Sequence, residues 1–457
     1  MNLGVFVKKI FALCLFCLSL FIQANDKPNI VIIFLDDAGW SDFKPFGKPD
    51  YPTPHVEQLA KEGTQYHQFY VPQAICSASR AALLSGCYPG RTKVFGAHGP
   101  NGLGLPTKFA TMAEVFKKNG YATAHYGKWH CGDQPQTRPI ARGFDEHAGL
   151  MYSNDMWRFH PVNPKYWGRF PLQFWENGKV TIKDVSKEDQ THLTTWATEK
   201  TVDFIKRHKE KPFFVYLAHS MPHVPLFCSK KFLGKSGTGL YCDVMMEIDW
   251  SVGQVNQALK DHDLDKKTIV IFSSDNGPWS SYGKHAGKTP FRSYKATSFD
   301  GGTRSATIMK YPGHIKAGAV NKKAMCTIDL LPTLCKLTGS KLPENDIDGK
   351  DIWPLIISQE NAKNPHQYYA FSIGKNLEAI VTADGKWKLH LAHKYRKIIK
   401  VGENGNDGKY NFPKIERSLF DLENDPKESK NVIDQYPEIA EKLNKLAIAH
   451  KEKFSKK

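Results

Sequence analysis

Three runs of apolar, largely β-branched or aromatic residues stand out along the chain. They are Asn29–Leu35, Pro212–Ala218 and Thr268–Phe272, and polar residues do not alternate with the apolar ones. A continuous apolar run is typical of a parallel strand that helices cover on both faces. Helix-like stretches separate the runs, over residues 53–63, 111–120, 190–209 and 242–262. This alternation predicts an α/β fold, a large, mostly parallel or mixed sheet sandwiched by helices.

The C-terminal part of the chain has a different pattern. Ala383–Leu389 and Ser418–Leu422 are typical of short strands around turns, and Tyr436–Lys453 has the spacing of a lysine-rich amphipathic helix. We therefore predict a smaller C-terminal subdomain, made of an antiparallel sheet plus a helix. The predicted division is a catalytic domain over residues 25–365 and the subdomain over residues 366–457.

The first 24 residues have the composition of a secretory signal peptide. Lys8 and Lys9 precede the apolar run Ile10–Ile22, and the small residue Ala24 ends the segment. The run is shorter than the roughly 20 apolar residues that a bilayer-spanning helix needs. We expect cleavage of residues 1–24, export to the periplasm or the medium, and no stable membrane anchor.

The net charge bears on the partners expected for this protein, and the cysteine content bears on its chemistry. The formal net charge is +17, but the lysines are scattered along the chain. This favours anionic partners in general and gives no reason to expect nucleic acid. The mature chain would hold an odd number of cysteines, which indicates a chemically special thiol. If Cys76 is that residue, the others are either buried thiols or disulfides: Cys87, Cys131, Cys228, Cys242, Cys326 and Cys335.

Polar side chains follow two of the apolar runs at the point where each run ends. Asp36 and Asp37 follow the first, and Asp275 and Asn276 follow the third. Ligands of open α/β sheets gather at the carboxyl ends of the strands. All four side chains offer oxygen, which suits Ca²⁺ or Mg²⁺. One such pair is more often a cap or a turn, but two pairs at equivalent strand ends favour a metal site.

The segment Cys76-Ser77-Ala78-Ser79-Arg80 is the most specific feature of the chain. It opens an apolar stretch, residues 81–86, that is typical of a helix ending at a glycine. Cys76 is thus expected near a helix N-terminus, where backbone amides favour an anion. By itself this predicts an activated thiolate, and the alternative is a buried cysteine beside a serine helix cap.

With Leu84, Ser85 and Gly86 after it, this segment resembles the modification motif of the formylglycine-dependent (type I) sulfatases. These are arylsulfatase-like members of the alkaline phosphatase superfamily. The resemblance implies that a maturation enzyme oxidises Cys76 to formylglycine (3-oxoalanine). The hydrated aldehyde then carries two hydroxyls, of which one attacks sulfur and the other loses its proton as sulfate leaves.

The same resemblance implies a role for each matching residue. One Ca²⁺ ion would be held by oxygen ligands and by residue 76 itself: Asp36, Asp37, Asp275 and Asn276. Arg80 would support the nucleophile, and Lys128 and Lys295 would bind the sulfate group. His130 would hydrogen-bond the formylglycine hydroxyl.

His223 would protonate the leaving oxygen in this scheme, with His219 as an alternative. Asp300 stands where glutamate is commoner in the family, five residues after Lys295.

Two other functions remain open at this level. A phosphonate or phosphate ester hydrolase can also use formylglycine, and a catalytically silent chain could bind sulfated glycans. The segment Met151–Gly178 bears on the substrate, because its aromatic residues adjoin Arg158 and Arg169. Aromatic faces stack on sugars and guanidinium groups bind sulfate, so we expect a sulfated carbohydrate or polysaccharide. The alternative is a loop that buried aromatic residues fix to the domain.

Overall fold

The computed structural model describes residues 27–403 and 405–455, so the predicted signal peptide lies outside the described residues. A sheet of eleven strands forms the centre of the larger part. Its strands are Asn29–Leu35 (β1), Thr64–Tyr70 (β2), Ala122–Lys128 (β3), Glu146–Leu150 (β4), Phe174–Glu176 (β5), Lys179–Ile182 (β6), Phe213–Ala218 (β7), Thr268–Ser274 (β8), Arg304–Lys310 (β9), Ala319–Asn321 (β10) and Met325–Cys326 (β11).

The strand order is β10-β2-β9-β8-β1-β7-β3-β4-β5-β6, and β11 also pairs with β2. The middle five strands, from β8 to β4, run parallel, whereas β9 and β5 are antiparallel to their neighbours. Every residue of β1, β7 and β8 is buried. This confirms the predicted mixed sheet and explains why these three strands are continuous apolar runs.

Helices cover the sheet in two groups. The first comprises Pro54–Glu62 (α1), Leu193–Arg207 (α7) and Leu240–Asp261 (α8). The second comprises Cys76–Ser85 (α2), Met112–Lys118 (α4) and Leu330–Thr338 (α10). The shorter helices are Pro89–Thr92 (α3), Pro164–Trp167 (α5), Lys187–Thr191 (α6), Asp300–Thr303 (α9) and Trp353–Ile356 (α11). Single 3₁₀ turns occur at Pro135–Thr137, Ile140–Arg142, Asp265–Lys267, Ser280–His285 and Thr327–Asp329.

The C-terminal part contains a second, four-stranded antiparallel sheet, in the order β12-β13-β14-β19. These strands are Tyr368–Ile373, Asn376–Thr382, Trp387–His390 and Ser418–Asp421, and helix Pro437–Ser455 (α12) packs against them. Two small ribbons complete it, His393–Lys394 (β15) with Lys414–Ile415 (β18), and Lys397–Lys400 (β16) with Lys409–Asn411 (β17). The sheet has a hydrophobic core of its own.

A buried ionic network joins the two sheets. Lys388, on β14, lies 2.7 Å from Asp300 and 3.2 Å from Glu428, and all three side chains are fully buried. His390 and Arg304 add contacts to Glu428 and Asp300 respectively. Asp300, the position where the family more often has glutamate, is therefore an anchor for the C-terminal sheet. Within the described residues, we find no helix with the length and apolarity needed to cross a membrane.

Candidate active site

The ends of β1 and β8 bring the two acidic pairs together. The register of these strands sets Leu35 beside Ser274, and the Asp275 amide donates to the Leu35 carbonyl oxygen at 3.0 Å. One residue further on, the Asp37 amide donates to Asp275 Oδ1 at 3.2 Å. Asn276 Nδ2 donates to Asp37 Oδ1 at 2.7 Å. The four predicted oxygen ligands therefore lie at one edge of the sheet.

Four side chains at this edge of the sheet, which we call the cluster, form a candidate metal site. Donor atoms of Asp36, Asp37, Cys76 and His223 all lie within 4.8 Å of one another. Asn276 Oδ1 is buried and accepts no hydrogen bond within the described chain. A buried carbonyl oxygen without a donor suits a hard cation, since such ions take oxygen ligands. The residues present therefore fit a metal ion. His223, for which the sequence analysis expected a role at the leaving oxygen, also belongs to this group.

Cys76 is the first residue of helix α2, as expected. It is 1% exposed, and its Sγ atom lies 3.3 Å from Asp36 Oδ1 and 3.3 Å from Lys295 Nζ. Burial, together with the negative charge of Asp36, raises the pKa of this thiol well above its ordinary value. The prediction of an activated thiolate, made from the helix position alone, is therefore wrong. Burial, with the nearby carboxylate of Asp36 as a second cause, outweighs the attraction of the helix N-terminus.

Two cationic side chains, those of Lys128 and Lys295, lie near the thiol. Lys128 ends strand β3, forms an ion pair with Asp36 and donates to Ser153 Oγ at 3.1 Å. Lys295 contacts Asp37 Oδ1 at 2.7 Å. Burial by itself would lower the pKa of both lysines, but the neighbouring carboxylates outweigh it and hold both above the ordinary value. Both lysines are therefore charged where an anionic group would bind.

Arg80 joins the acidic pairs to the strand that carries Lys128. Its Nε atom donates to Asp275 Oδ2 at 3.0 Å, and its Nη1 atom donates to the Lys128 carbonyl oxygen at 3.0 Å. Burial, with Asp36 as a second cause, raises the pKa of Asp275 to about 7. The carboxylates of Asp36, Asp37 and Asp275 lie close together, and Arg80 forms ion pairs with Asp275 at 3.0 Å and Asp36 at 3.7 Å.

Of the three histidines that the sequence singled out, His223 and His130 face the cluster and His219 does not. His223 Nδ1 lies 2.5 Å from the Val224 carbonyl oxygen and must carry a proton, while Nε2 lies 3.6 Å from Asp37 Oδ2. His130 contacts the His98 carbonyl oxygen through Nε2, which leaves Nδ1 buried and without a partner in the described chain. Burial lowers the pKa of both rings. His219, the alternative to His223, instead contacts Ser251 on α8.

The aromatic segment Met151–Gly178 has one end near the cluster. Trp157 is buried, and Arg158 is held by an ion pair with Asp184. Arg169 instead lies over the Tyr166 ring and lines a cavity of about 280 Å³ with Arg138, Trp175 and other residues. The burial of Trp157 fits the alternative of a loop that aromatic residues fix to the domain, whereas Arg169 is exposed and lines the cavity.

Sequence reasoning missed two residues of the site. Ser153 accepts from Lys128, and the Trp279 ring centroid lies 4.5 Å from Lys295 Nζ and 5.5 Å from the His223 ring centroid. A signal for Trp279 existed, because it follows Asp275-Asn276-Gly277-Pro278 directly. Ser153 lies in a segment without periodicity, so no pattern indicated its contact.

The site has the features of a hydrolase for anionic esters. None of its ten predicted residues is more than 6% exposed, and the charged groups are fixed by one another at the carboxyl ends of the strands. The chain belongs to the sulfatase family: the family model described as Sulfatase matches residues 28–340. A second model, N-sulphoglucosamine sulphohydrolase, C-terminal, matches residues 294–453. The protein is therefore a sulfuric ester hydrolase.

Named relatives agree with this assignment. Rat N-acetylgalactosamine-6-sulfatase is 35% identical over 390 residues, which cover 80% of this chain and 72% of the relative. Bovine arylsulfatase A is 33% identical over 443 residues, which cover 92% and 86%.

Solved structures agree as well. The PsFucS1 sulfatase from Pseudoalteromonas sp. superposes with a TM-score of 0.81 at 25% identity, over 94% of this chain and 91% of that one. Ps i-CgsB, solved in complex with k-i-k-neocarrahexaose, has a TM-score of 0.76 at 28% identity, with coverages of 94% and 93%.

Proposed function

We propose that the protein is an exported sulfatase that removes sulfate from a sulfated carbohydrate, with a formylglycine made from Cys76 and one bound Ca²⁺ ion. The observation that carries this proposal is the position of Cys76. It is the first residue of α2, within the modification motif, and 3.3 Å from both Lys295 Nζ and Asp36 Oδ1. A residue modified there would lie between the sulfate-binding cations and the metal ligands.

The absent groups would supply specific chemistry. Formylglycine at residue 76 would supply a hydrated aldehyde as the nucleophile, close to Asp36 and Lys295. Calcium would supply positive charge next to the substrate, and the residues that would hold it are Asp36, Asp37, Asp275 and Asn276. The unpartnered Oδ1 atom of Asn276 supports this choice.

The chain's own charges prepare the site for a sulfate ester. Lys128 and Lys295 face the same small volume and would neutralise the ester oxygens as negative charge shifts during attack. Arg80 holds Asp275 and the Lys128 backbone in place without facing the thiol directly. Because these groups are buried and fixed before substrate binds, little reorganisation is required.

Two histidines would take part in hydrogen bonding and proton transfer. His130 Nδ1 is buried and unpartnered, so it is free to hydrogen-bond a hydroxyl on residue 76. His223 presents Nε2 to Asp37 and therefore to the cluster. Because Nδ1 also carries a proton, a proton on Nε2 makes the ring an imidazolium beside Asp37, and this proton would be available to the leaving alcohol oxygen. General acid catalysis of this kind matters most for alcohols that are poor leaving groups, as sugar hydroxyls are.

The carbohydrate part of the proposal has three supports. One relative is named N-acetylgalactosamine-6-sulfatase, and one similar solved structure contains neocarrahexaose, so both names refer to sugars. The predicted signal peptide would deliver the enzyme to extracellular polysaccharide. Arg169 and Trp175 line one cavity beside the segment that carries Ser153.

We also propose that residues 25–365 form the catalytic domain and that residues 366–457 form a smaller C-terminal subdomain.

One experiment tests the nucleophile. Cys76→Ala should abolish turnover of any sulfate ester while the thermal unfolding temperature stays close to that of wild type. Cys335→Ala is the matched control, because it also removes one buried thiol, from α10. Turnover by Cys76→Ala within tenfold of wild type would defeat the proposed mechanism.

A second experiment tests the substrate. Sulfated oligosaccharides are assayed beside an aryl sulfate and an aryl phosphate, on wild type, Arg158→Ala and Arg169→Ala. We expect sugar sulfates to be preferred and Arg169→Ala to lose more of that activity than Arg158→Ala, whose arginine already pairs with Asp184. A faster rate on the phosphate would favour the phosphate ester hydrolase instead. Binding of the oligosaccharide without turnover would favour the silent binder.

A further inference from the structure

Trp279 contacts two groups that have different proposed roles in sulfate-ester hydrolysis, Lys295 and His223. The Nζ atom of Lys295 is 4.5 Å from its ring centroid, a cation–π distance. The His223 ring meets the indole edge to face, with centroids 5.5 Å apart. The indole therefore contacts both the sulfate-binding cation and the histidine proposed to protonate the leaving group. A shift of Trp279 would move both.

A hydrogen-bond chain from the C-terminal part of the molecule fixes that indole. Trp279 Nε1 donates to the Tyr410 hydroxyl oxygen at 3.0 Å. Tyr410 in turn donates to Asp407 Oδ1 at 2.6 Å. Because the chain ends on a carboxylate, each donor is more strongly polarised than in a neutral pair. Tyr410 lies on strand β17 and Asp407 just before it.

Further bonds connect the same ribbon to the segment that leads to Lys295. The Gly402 amide donates to the Ser281 carbonyl oxygen at 2.6 Å, and the Ser281 hydroxyl contacts Asp407. At the other end of that segment, the Tyr294 hydroxyl donates to the Arg396 carbonyl oxygen at 3.0 Å. Both flanks of residues 279–295 are thus bonded to the C-terminal part, directly beside Trp279 and Lys295.

We propose that Tyr410 is a positioning residue for sulfate-ester hydrolysis, acting through Trp279 on His223 and Lys295. The inference rests on the proposed function, because it takes the roles of His223 and Lys295 from there. It makes the β16–β17 ribbon part of the active site. A loosened indole affects the proton donor, so the loss should be larger for a sugar alcohol than for an aryl oxide, which departs without a proton.

The kinetic test uses four variants and two substrates. Tyr410→Phe deletes one oxygen and keeps the ring, Trp279→Phe deletes the donor, and the double variant removes both. Tyr368→Phe is the matched control, because its hydroxyl contacts His450 in the four-stranded sheet, outside the site. The substrates are para-nitrophenyl sulfate and the sugar sulfate that wild type hydrolyses fastest.

On the sugar sulfate, we expect Tyr410→Phe to lower kcat about tenfold, the size of one charge-assisted hydrogen bond, with KM little changed. The loss on para-nitrophenyl sulfate should be smaller, because that leaving group needs no proton and only the part of the effect that acts through Lys295 remains. The double variant should lose less activity than the product of the two single losses, since both single changes break the bond between Trp279 and Tyr410. Equal losses on both substrates, or losses that multiply in the double variant, would overturn the inference.

A measurement without turnover separates this inference from the proposed function. Hydrogen–deuterium exchange should be faster across residues 279–295 in Tyr410→Phe than in wild type, and unchanged there in Tyr368→Phe. If exchange in that segment is unaffected by Tyr410→Phe, Tyr410 does not position Trp279, whatever the enzyme hydrolyses. If exchange rises but wild type cleaves no sulfate ester, the positioning stands and the proposed function fails.

Discussion

The Nζ atom of Lys295 lies 3.3 Å from the Sγ atom of Cys76. These residues are far apart in sequence, and the contact sets a fixed positive charge beside the side chain that is proposed to carry the nucleophilic oxygen after its sulfur has been replaced. Lys295→Met keeps most of the side-chain volume and removes the charge. We expect kcat/KM to fall about 100-fold or more, as when one preorganised electrostatic donor is lost.

The control for this change is Lys288→Met, on an exposed lysine that pairs only loosely with Asp50. Its kcat/KM should match wild type. If Lys295→Met retained activity within about fivefold of wild type, Lys295 would not be one of the preorganised donors that stabilise the sulfate group during attack.

The metal prediction concerns Asn276, whose Oδ1 atom is buried and unpartnered. Elemental analysis of wild type should find one calcium per chain, and Asn276→Ala should lose most of it together with activity, because oxygen ligands determine affinity for a hard cation. Asp50→Asn, on the surface, is the control. Stoichiometric zinc, without calcium or magnesium, would mean that the cysteine and histidine of the cluster are the ligands instead.

Burial of the modification motif predicts when maturation occurs. All five residues from Cys76 to Arg80 are buried in the folded chain, so a modifying enzyme cannot reach them there. Folded protein that carries the unmodified thiol should therefore remain unmodified when incubated with a maturation enzyme. The same chain, unfolded in denaturant and diluted into that enzyme, should gain formylglycine. Efficient modification of the folded protein would contradict the closed site.

The buried network at Lys388 predicts the cost of separating the two sheets. Lys388→Met leaves Asp300 and Glu428 buried without this cation, which should lower the free energy of unfolding by about 3 kcal/mol or more. Lys386→Met, two residues away, removes a solvent-exposed pair with Glu423 and should change little. Chemical denaturation of both variants gives the comparison. Equal stability of the two would show that the network does not anchor the C-terminal sheet.

The strand ends could be predicted because burial on both faces forces a continuous apolar run. Once β1 and β8 were identified, the edge at which Asp36 and Asp275 meet followed from parallel pairing. Cys76 was predictable from a short motif, since a modifying enzyme must read local sequence. The raised pKa of its thiol was not predictable, because it results first from burial in the folded chain and then from Asp36, at the end of another element.

Contacts between distant segments account for what the sequence did not indicate. Trp279 and Tyr410 meet across the boundary between the two sheets, and neither residue belongs to a periodic pattern. The sequence suggested Arg158 as a sulfate ligand, but its guanidinium group forms an ion pair with Asp184. His219 and His223 were both candidates by spacing, and only packing against Ser251 of α8 directs His219 away from the cluster.

The most direct test of the central claim is the mass of the tryptic peptide that spans residues 62–80, which contains Cys76 and no other cysteine. In active protein, we predict that this peptide is about 18 Da lighter than its sequence mass, as conversion of cysteine to formylglycine requires. The modified fraction should rise in proportion to kcat across preparations of differing activity. A peptide at the unmodified mass throughout, in protein that hydrolyses sulfate esters, would contradict the account.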